Sequence, residues 1–276
     1  MSSYHFSNAL GYTHEQLAEM HNASFSGYFF PMNITAEQSA GFWQVYQINA
    51  AYCVVMHDEQ DRFVGMARMG ARGLRGWCGG FGIVPEFRGT GASKLLAAQM
   101  VQAARESGLT TLQLEALTQN VKAIKLYEGV GFVATRRLVI AQAASKALRA
   151  AASALQVQAV PLNALMPRLY EGQRPDWERE PASIQTLRAE AVAAPGADGQ
   201  LNGLIFRRSG DNIQMLAAVL QSDLSNADFA ALLCEAAGDA TWVQLFNEPE
   251  DSLLLARCRD LGFAETVSQY EMFLRL

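Results

Sequence analysis

The 276-residue chain is poor in the residues that build metal sites and disulfide frameworks. Its four cysteines, Cys53, Cys78, Cys234 and Cys258, are scattered among apolar neighbours, and none forms a C-x-x-C pair. That spacing argues against a zinc site or a disulfide scaffold and for free thiols in a reducing compartment, the cytoplasm. Four histidines, three of them before residue 22, lack ligand spacing, so no metal is expected. No run reaches the ~18 apolar residues that a membrane span needs. The closest, the Ala-rich stretch 141–160, is broken by Ser145, Lys146, Arg149 and Ser153. The opening Met-Ser-Ser-Tyr-His-Phe has neither the basic nor the apolar region of a signal peptide. No basic run with interleaved aromatics exists, which disfavours nucleic acid as a partner. Charge is uneven: residues 1–142 hold 11 Lys/Arg against 10 Asp/Glu, and residues 143–276 hold 11 against 17. An acidic second half serves solubility or suits a cationic partner.

What the chain does have is a Gly-punctuated turn between a strand and a helix. Phe81-Gly82-Ile83-Val84 is apolar and extended, and Leu95, Leu96, Met100 and Val101 mark an apolar helical stripe. Between them lies Arg88-Gly89-Thr90-Gly91-Ala92-Ser93. Such a turn aims several backbone N–H groups at one point, at the positive end of a helix dipole, and so suits a phosphate or pyrophosphate. It is not a P-loop, since no Lys-Ser/Thr follows the second glycine. Nor is it the G-x-G-x-x-G of a dinucleotide fold. Gly79, Gly80 and Gly82 lie just upstream. Three glycines in four residues indicate close approach of a ligand to the strand, with a β-bulge as the other reading.

About thirty residues later, Leu112 to Ala116 alternate like a strand. Asn120-Val121-Lys122-Ala123-Ile124-Lys125-Leu126-Tyr127-Glu128 then reads as a short helix with Asn120 as its cap, stopped by Gly131. With these two segments in order, residues 3–142 resemble the GCN5-related N-acetyltransferase (GNAT) superfamily. The family's acyl-CoA motif, Arg/Gln-x-x-Gly-x-Gly/Ala, corresponds to 88–93, with Ser93 in the last place. The later pattern Asn-x-x-Ala-x-x-Leu-Tyr-Glu-x-x-Gly-Phe agrees at every fixed position.

The resemblance implies an α/β fold whose mixed, mostly antiparallel and V-split central sheet is flanked by helices. It implies acetyl-CoA as co-substrate, with a pyrophosphate held by the amides of Arg88, Gly89, Thr90, Gly91, Ala92 and Ser93. Backbone groups of Ile83 and Val84 would hold the pantetheine arm and the acetyl carbonyl, and Asn120 would touch the arm. Tyr127 would be the general acid that protonates the departing thiolate. The strand 77–84 lacks the Glu that relatives often use as base, which leaves Glu115 as base or as a carboxylate of the cleft wall. The acceptor would be a primary amine of a small molecule or peptide. The absent strand Glu keeps open an acyl-CoA sensor without turnover, and an apolar cleft keeps open a longer acyl donor. Phe25, Tyr28, Phe29, Phe30 and Met32 read as a lid over that cleft, as a contact for the second domain, or as anchors in the core.

The rest of the chain repeats this order with losses. The first half reads as helices over 13–24 and 35–49 and a meander over 51–56, 62–71 and 77–84. The Ala-rich stretch 143–156 reads as a helical linker. Helices are then expected over 162–170, 181–190 and 227–237, and strands over 203–208, 212–220 and 241–246. Residues 251–263 lay over 120–132 without a gap, and both end in Gly-Phe. The chain therefore reads as a tandem duplication: an active domain (1–142), a linker (143–156) and a degenerate domain (157–276). The second copy has Gln221-Ser222-Asp223-Leu224-Ser225-Asn226 where the first has its glycines, Asp251 for Asn120 and Cys258 for Tyr127. It would cover or shape the cleft, or serve dimerisation; a homodimer stays open.

Overall fold

The structure is a computed structural model that describes residues 4–169 and 174–276. It divides into two compact units, the first comprising residues up to 135 together with 270–276 and the second residues 136–269. In chain order the elements are β1 (Tyr4–Ser7), α1 (His14–Ser24), α2 (Ala36–Val45), β2 (Val54–Asp58), β3 (Phe63–Arg72), β4 (Arg75–Ile83), α3 (Ala92–Glu106), β5 (Thr111–Leu117), α4 (Val121–Glu128) and β6 (Val133–Ala144). There follow α5 (Ser145–Ala151), β7 (Gln158–Ala159), α6 (Pro181–Thr186), β8 (Glu190–Pro195), β9 (Leu201–Ser209), β10 (Asn212–Val219), α7 (Asn226–Ala237), β11 (Trp242–Pro249), α8 (Leu253–Asp260) and β12 (Ala264–Arg275). No described helix is long and apolar enough to cross a membrane.

In the first unit the strand order is β1-β2-β3-β4-β5, closed by residues 270–275 of β12. The first four strands are antiparallel neighbours. β4 and β5 are parallel, and pair only at Arg75–Thr111, Gly76–Leu112 and Trp77–Gln113. Beyond those pairs the two strands part, as expected of a V-split sheet. Side chains alternate across the sheet with the period of two that a strand imposes. On β2, Val54 and Met56 join the core under α3 with Leu96, Met100 and Leu112. Cys53 and Val55 join the opposite core with Leu17 of α1 and Trp43 of α2. Both early helices carry complete capping boxes, Thr13 with Gln16 and Thr35 with Gln38, which explains their sharp starts. On α3 the buried stripe is Ala92, Leu96, Ala97, Met100, Val101 and Ala104, whereas Leu95, expected to face inward, is exposed.

The second unit has the order β12-β6-β11-β10-β9-β8-β7, with residues 264–269 contributing from β12. The stretch expected to be a linker is instead structural. β6 runs to Ala144, and α5 buries Leu148 in the core with Phe229, Leu232 and Leu233 of α7. Alanine is small enough to let these elements pack closely, so the low complexity of that stretch reflects close packing. The helix expected over 181–190 ends at Thr186, and β8 begins at Glu190. The expected helix over 162–170 is two single 3-10 turns, Leu162–Ala164 and Met166–Arg168; its last residue, 170, lies outside the described residues.

A buried ionic cluster organises the second unit. Arg179 Nε donates to Asp176 Oδ1 (2.8 Å), Nη1 to Glu248 Oε2 (2.6 Å) and Nη2 to the Asn247 carbonyl (2.9 Å). Asn247 sits at φ 49° where the β11–β6 ladder slips by one residue, a β-bulge, and its Nδ2 donates to Asp176 Oδ2 (3.1 Å). Asp176, Asn247, Glu248 and Arg179 are all buried. Trp177 is fully buried here too, so it anchors its own unit. Arg179→Met would leave two carboxylates facing an apolar side chain, at a cost of ~3–5 kcal/mol. Urea unfolding of the variant should show that loss, and a change below ~1 kcal/mol would mean that the cluster is structurally idle.

Candidate active site

Where β4 and β5 part, the first unit has a cleft of about 780 Å³. Its walls are Phe81, Gly82 and Ile83 of β4, Glu115 and Ala116 of β5, the α4 residues Lys122, Ala123, Leu126 and Tyr127, and Asn120. The segment after α1 (Ser24, Phe25, Gly27, Tyr28 and Phe29) covers one side, and Arg88, Gly89 and Ser93 line one end. The lid reading of the aromatic loop thus fits the geometry: Phe25, Tyr28 and Phe29 line the cleft, whereas Phe30 and Met32 are exposed away from its lining.

The turn 88–93 has the form that anion binding needs. Gly89 (φ 80°) and Gly91 (φ 96°) are left-handed, and Gly91 caps α3 without any side-chain acceptor. A Cβ on either glycine would meet nothing within 4 Å, so backbone conformation is what demands them. The amides of Gly89, Thr90, Gly91 and Ser93 have no acceptor among the described residues. The other two amides of the expected set are already used: Arg88 N–H donates to Pro85 O (3.2 Å), and Ala92 N–H to Thr90 Oγ1 (3.4 Å). Four donors at the start of a 15-residue helix fit a pyrophosphate. Thr90 Oγ1, by donating to Phe87 O (2.8 Å), braces the turn from beneath.

The Arg88 side chain is held by the protein's own backbone. Its Nε donates to Ile83 O (2.9 Å), and its Nη2 to Ser24 O (3.0 Å) and Ser26 O (2.8 Å). The guanidinium is committed to backbone carbonyls because α1 ends there, leaving carbonyls that need donors.

Val84 also departs from expectation. Its amide donates to Val64 O (2.9 Å) and its carbonyl accepts from Phe87 N (3.1 Å), so neither group is free for an arm. The strand's alternation then decides the rest. Gly82, of the same parity as Val84, turns its backbone toward β3, while Phe81 and Ile83 turn theirs toward the cleft. Ile83 O is taken by Arg88, which leaves Ile83 N–H and both backbone groups of Phe81 facing the opening. Phe81 was not in the expected set. The parity depends on Gly79, the extra residue where the β3–β4 ladder slips between Arg68 and Met69, and no sequence pattern shows which residue is skipped.

The three upstream glycines do not admit a ligand, as had been expected. A Cβ at Gly79 would strike the Trp77 ring, at Gly80 the Arg68 guanidinium, and at Gly82 Ser24 of α1. They admit protein atoms, and the bulge reading is the correct one for Gly79.

Tyr127 and Glu115 meet in this cleft. Tyr127 is buried, with Phe81 edge-on at 5.7 Å, and its hydroxyl has no hydrogen-bond partner among the described residues. Burial first, then Cys78 and Tyr28 nearby, hold its phenol well above the usual tyrosine range, so it stays protonated. Glu115 Oε2 accepts from Trp77 Nε1 (2.7 Å), which orients the carboxylate. Asn120 caps α4 through Oδ1 on Ala123 N–H (3.2 Å), and its side chain, near the Tyr28 hydroxyl, offsets part of the rise that burial causes in that phenol. Cys53 and Cys78 are buried thiols pushed up to about 12, so neither is a thiolate nucleophile near neutrality. Among the described residues no group of three or more His, Cys, Asp or Glu could hold a metal ion.

The counterpart turn in the second unit has a side-chain cap and a cation on its carbonyls. Ser225 caps α7 by accepting from Asp228 N–H (3.1 Å). Arg257, matching Leu126, donates to Leu224 O (2.6 Å) and Ser225 O (3.1 Å). The gapless match of 251–263 to 120–132 holds at the Gly-Phe end, but α8 starts one residue late, and its cap is Ser252, not Asp251.

Residues 15–132 match the family model described as Acetyltransferase (GNAT) family. This part of the chain is a GNAT domain. No curated protein matches the chain. Among solved structures, a tandem GNAT protein from the clavulanic acid biosynthesis pathway is similar at 12% identity and TM-score 0.71, covering 100% of this chain and 98% of that one. A GCN5-related N-acetyltransferase from Sphaerobacter thermophilus follows at 14% and 0.69, covering 99% and 95%. A putative acetyltransferase from Pyrococcus horikoshii has 15% and 0.67, covering 99% and 89%. At such identities the likeness is one of fold, and it spans both units of the chain. GNAT domains as a family carry out acyl transfer, generally from acetyl-CoA.

One buried group gives this GNAT domain a pH dependence. His21 Nε2 lies 2.6 Å from the Met32 carbonyl, which can only accept, so Nε2 carries the proton. Burial, then the positive Arg68, push the imidazole from 6.5 down to about 4, against the hydrogen bond to Met32, which raises it. The unfolded chain therefore binds the proton first, and stability falls as pH drops from 6.5 toward 4. Thermal unfolding at pH 7 and pH 4.5 should show a smaller acid loss for His21→Gln than for the wild type. Equal losses would clear His21 of the effect.

Proposed function

We propose that the first unit moves an acetyl group from acetyl-CoA to a primary amine of a small molecule or peptide, by direct transfer in a ternary complex. The observation that carries this reading is one cleft lined both by the turn of unpaired amides, at Gly89 and Ser93 with Thr90 and Gly91 between them, and by Tyr127, whose hydroxyl is unpartnered among the described residues. The amides would hold the pyrophosphate. Phe81 and Ile83, in place of Val84, would offer backbone groups to the arm and the carbonyl oxygen, where fixed dipoles count most. Asn120 would touch the arm while still capping α4. Acetyl-CoA supplies an activated thioester. A C–N bond forms as the C–S bond breaks. The amine proton passes to the Glu115 carboxylate, directly or through water, and the sulfur takes the Tyr127 proton. Trp77 would keep Glu115 aimed at the cleft. The aromatic wall of Phe25, Tyr28 and Phe29 also suits a longer acyl group, a reading that a comparison of acetyl-, succinyl- and longer acyl-CoA donors separates from acetyl transfer.

The second unit would then be a non-catalytic companion. Its helix start is capped by Ser225 and carries no left-handed glycine. Its parallel β10–β11 pairing ends at Met215–Leu245, and Arg179 lies against Asn247 and Glu248 just beyond. The free thiols favour the cytoplasm.

Calorimetry with acetyl-CoA tests the reading. Binding in the micromolar range is expected, and no heat at millimolar ligand would end the proposal. Gly91→Glu places a carboxylate at a left-handed position among the donors, and binding should fall at least a hundredfold. Tyr127→Phe should lower kcat about 10- to 1,000-fold, with acetyl-CoA affinity changed less than threefold. Tight binding of CoA without acetylated product across a panel of amines would identify a sensor instead.

A further inference from the structure

Arg88 ends up in neither of the roles that its place in the motif suggests, and its actual partners define a third. Its three side-chain hydrogen bonds all go to backbone carbonyls: one at the end of β4 (Ile83) and two at the end of α1 (Ser24 and Ser26). α1 closes at Ser24, so these carbonyls lack helical partners, and a cation there also meets the negative end of the helix dipole. Arg88 is therefore the C-terminal cap of α1. It is also the residue directly before the four amide donors.

The loop that follows α1 is folded back onto the same last turn. His21 Nε2 donates to Met32 O (2.6 Å). Asn22 clasps Ile34 twice, its Oδ1 accepting from Ile34 N–H (2.8 Å) and its Nδ2 donating to Ile34 O (3.1 Å). The aromatic segment between is stacked on itself: Phe25 against His21 at 4.6 Å, Tyr28 against Phe25 at 5.4 Å and Phe29 against Tyr28 at 5.2 Å. At its middle, the Tyr28 hydroxyl reaches Asn120. The loop is thus one piece, tied to α1 at both ends and to the phosphate turn through Arg88. Gly27 (φ 68°) faces the guanidinium, with room for a Cβ at 3.8 Å from Nη1, so the contact is not a steric accident of crowding.

We infer that Arg88 is a positioning residue that couples the phosphate turn to the aromatic loop, so that occupation of the turn by a CoA pyrophosphate orders the wall against which the acceptor amine is held. This rests on the acetyl-CoA reading of the cleft. The planar fork of the guanidinium is what the geometry uses: Nε and Nη2 reach carbonyls from two separate segments at once. An ammonium has the charge without the fork. Because coupling between sites is reciprocal, a loop closed on an acceptor would also hold the turn in its binding form.

The test compares wild type, Arg88→Lys and Arg88→Met by amide hydrogen exchange over residues 24–34, with and without CoA, alongside calorimetry with CoA. In the wild type, CoA should slow exchange over 24–34 at least about fivefold, the lower end of ordinary coupling. Arg88→Lys keeps the charge; it should still bind CoA within about tenfold of wild type yet lose the slowing. Arg88→Met should also lose it. Retention of the slowing in Arg88→Lys would overturn the inference. So would CoA binding by the wild type with exchange over 24–34 unchanged. An affinity lost in Arg88→Met, restored in Arg88→Lys and accompanied by normal loop protection in both would mean a plain charge contact, again overturning it. No CoA binding by the folded wild type would instead bring down the acetyl-CoA reading itself, and the coupling with it.

Discussion

The first unit's site depends on a ladder that stops. β4 and β5 pair as parallel neighbours through Trp77 and Gln113 and then part. A strand with no neighbour on one side keeps N–H and C=O groups that must find other partners. Here these are the cleft-facing groups of Phe81 and Ile83, and everything else is arranged around them. α4 supplies Tyr127 and the Asn120 cap across the gap, α3 begins with its donors at one end, and the loop after α1 covers one side. Had the ladder continued, the cleft would be sheet interior, and the same residues would have nothing to bind.

Two charged groups are spent on keeping this arrangement rigid, and both look like ligand residues until their partners are known. Arg88 holds three carbonyls. Arg68, buried over the Phe42 ring at 4.6 Å with Nη2 on Gly79 O (3.3 Å), sits against the bulge that sets the parity of β4. In the second unit Arg179 plays the corresponding part at the bulge on β11, donating to Asn247 O. The same chemistry, a guanidinium on a strand carbonyl, therefore holds a bulge in each unit.

Much of this was legible in the residues. The strand–turn–helix around Gly89 and Gly91 and the cap at Asn120 follow from local rules, because caps and left-handed glycines are read over a few positions; that Tyr127 and Glu115 share a cleft came only from the resemblance to the family. The repeat was legible too, down to Gly131 and Gly262, both left-handed. What escaped was set by distant partners. The use of Val84 by Val64, of Arg88 by Ser24 and Ser26, and of Gly80 and Gly82 by Arg68 and Ser24 each involve two segments whose contact no local pattern records. The Ala-rich stretch misled for a related reason: its composition suits an exposed helix, and only Leu148 and the tertiary packing around it make it core.

The bulge at Gly79 has a consequence of its own. Because backbone direction alternates residue by residue, the chain's count between Trp77 and Val84 is as much a part of the site as any side chain. Loss of one residue there would leave composition and hydrophobicity almost untouched. Yet it would turn the amides of Phe81 and Ile83 into the sheet and those of Gly82 and Val84 out of it, exchanging the inner and outer faces of the strand. The site is in this sense encoded by an odd number rather than by an identity.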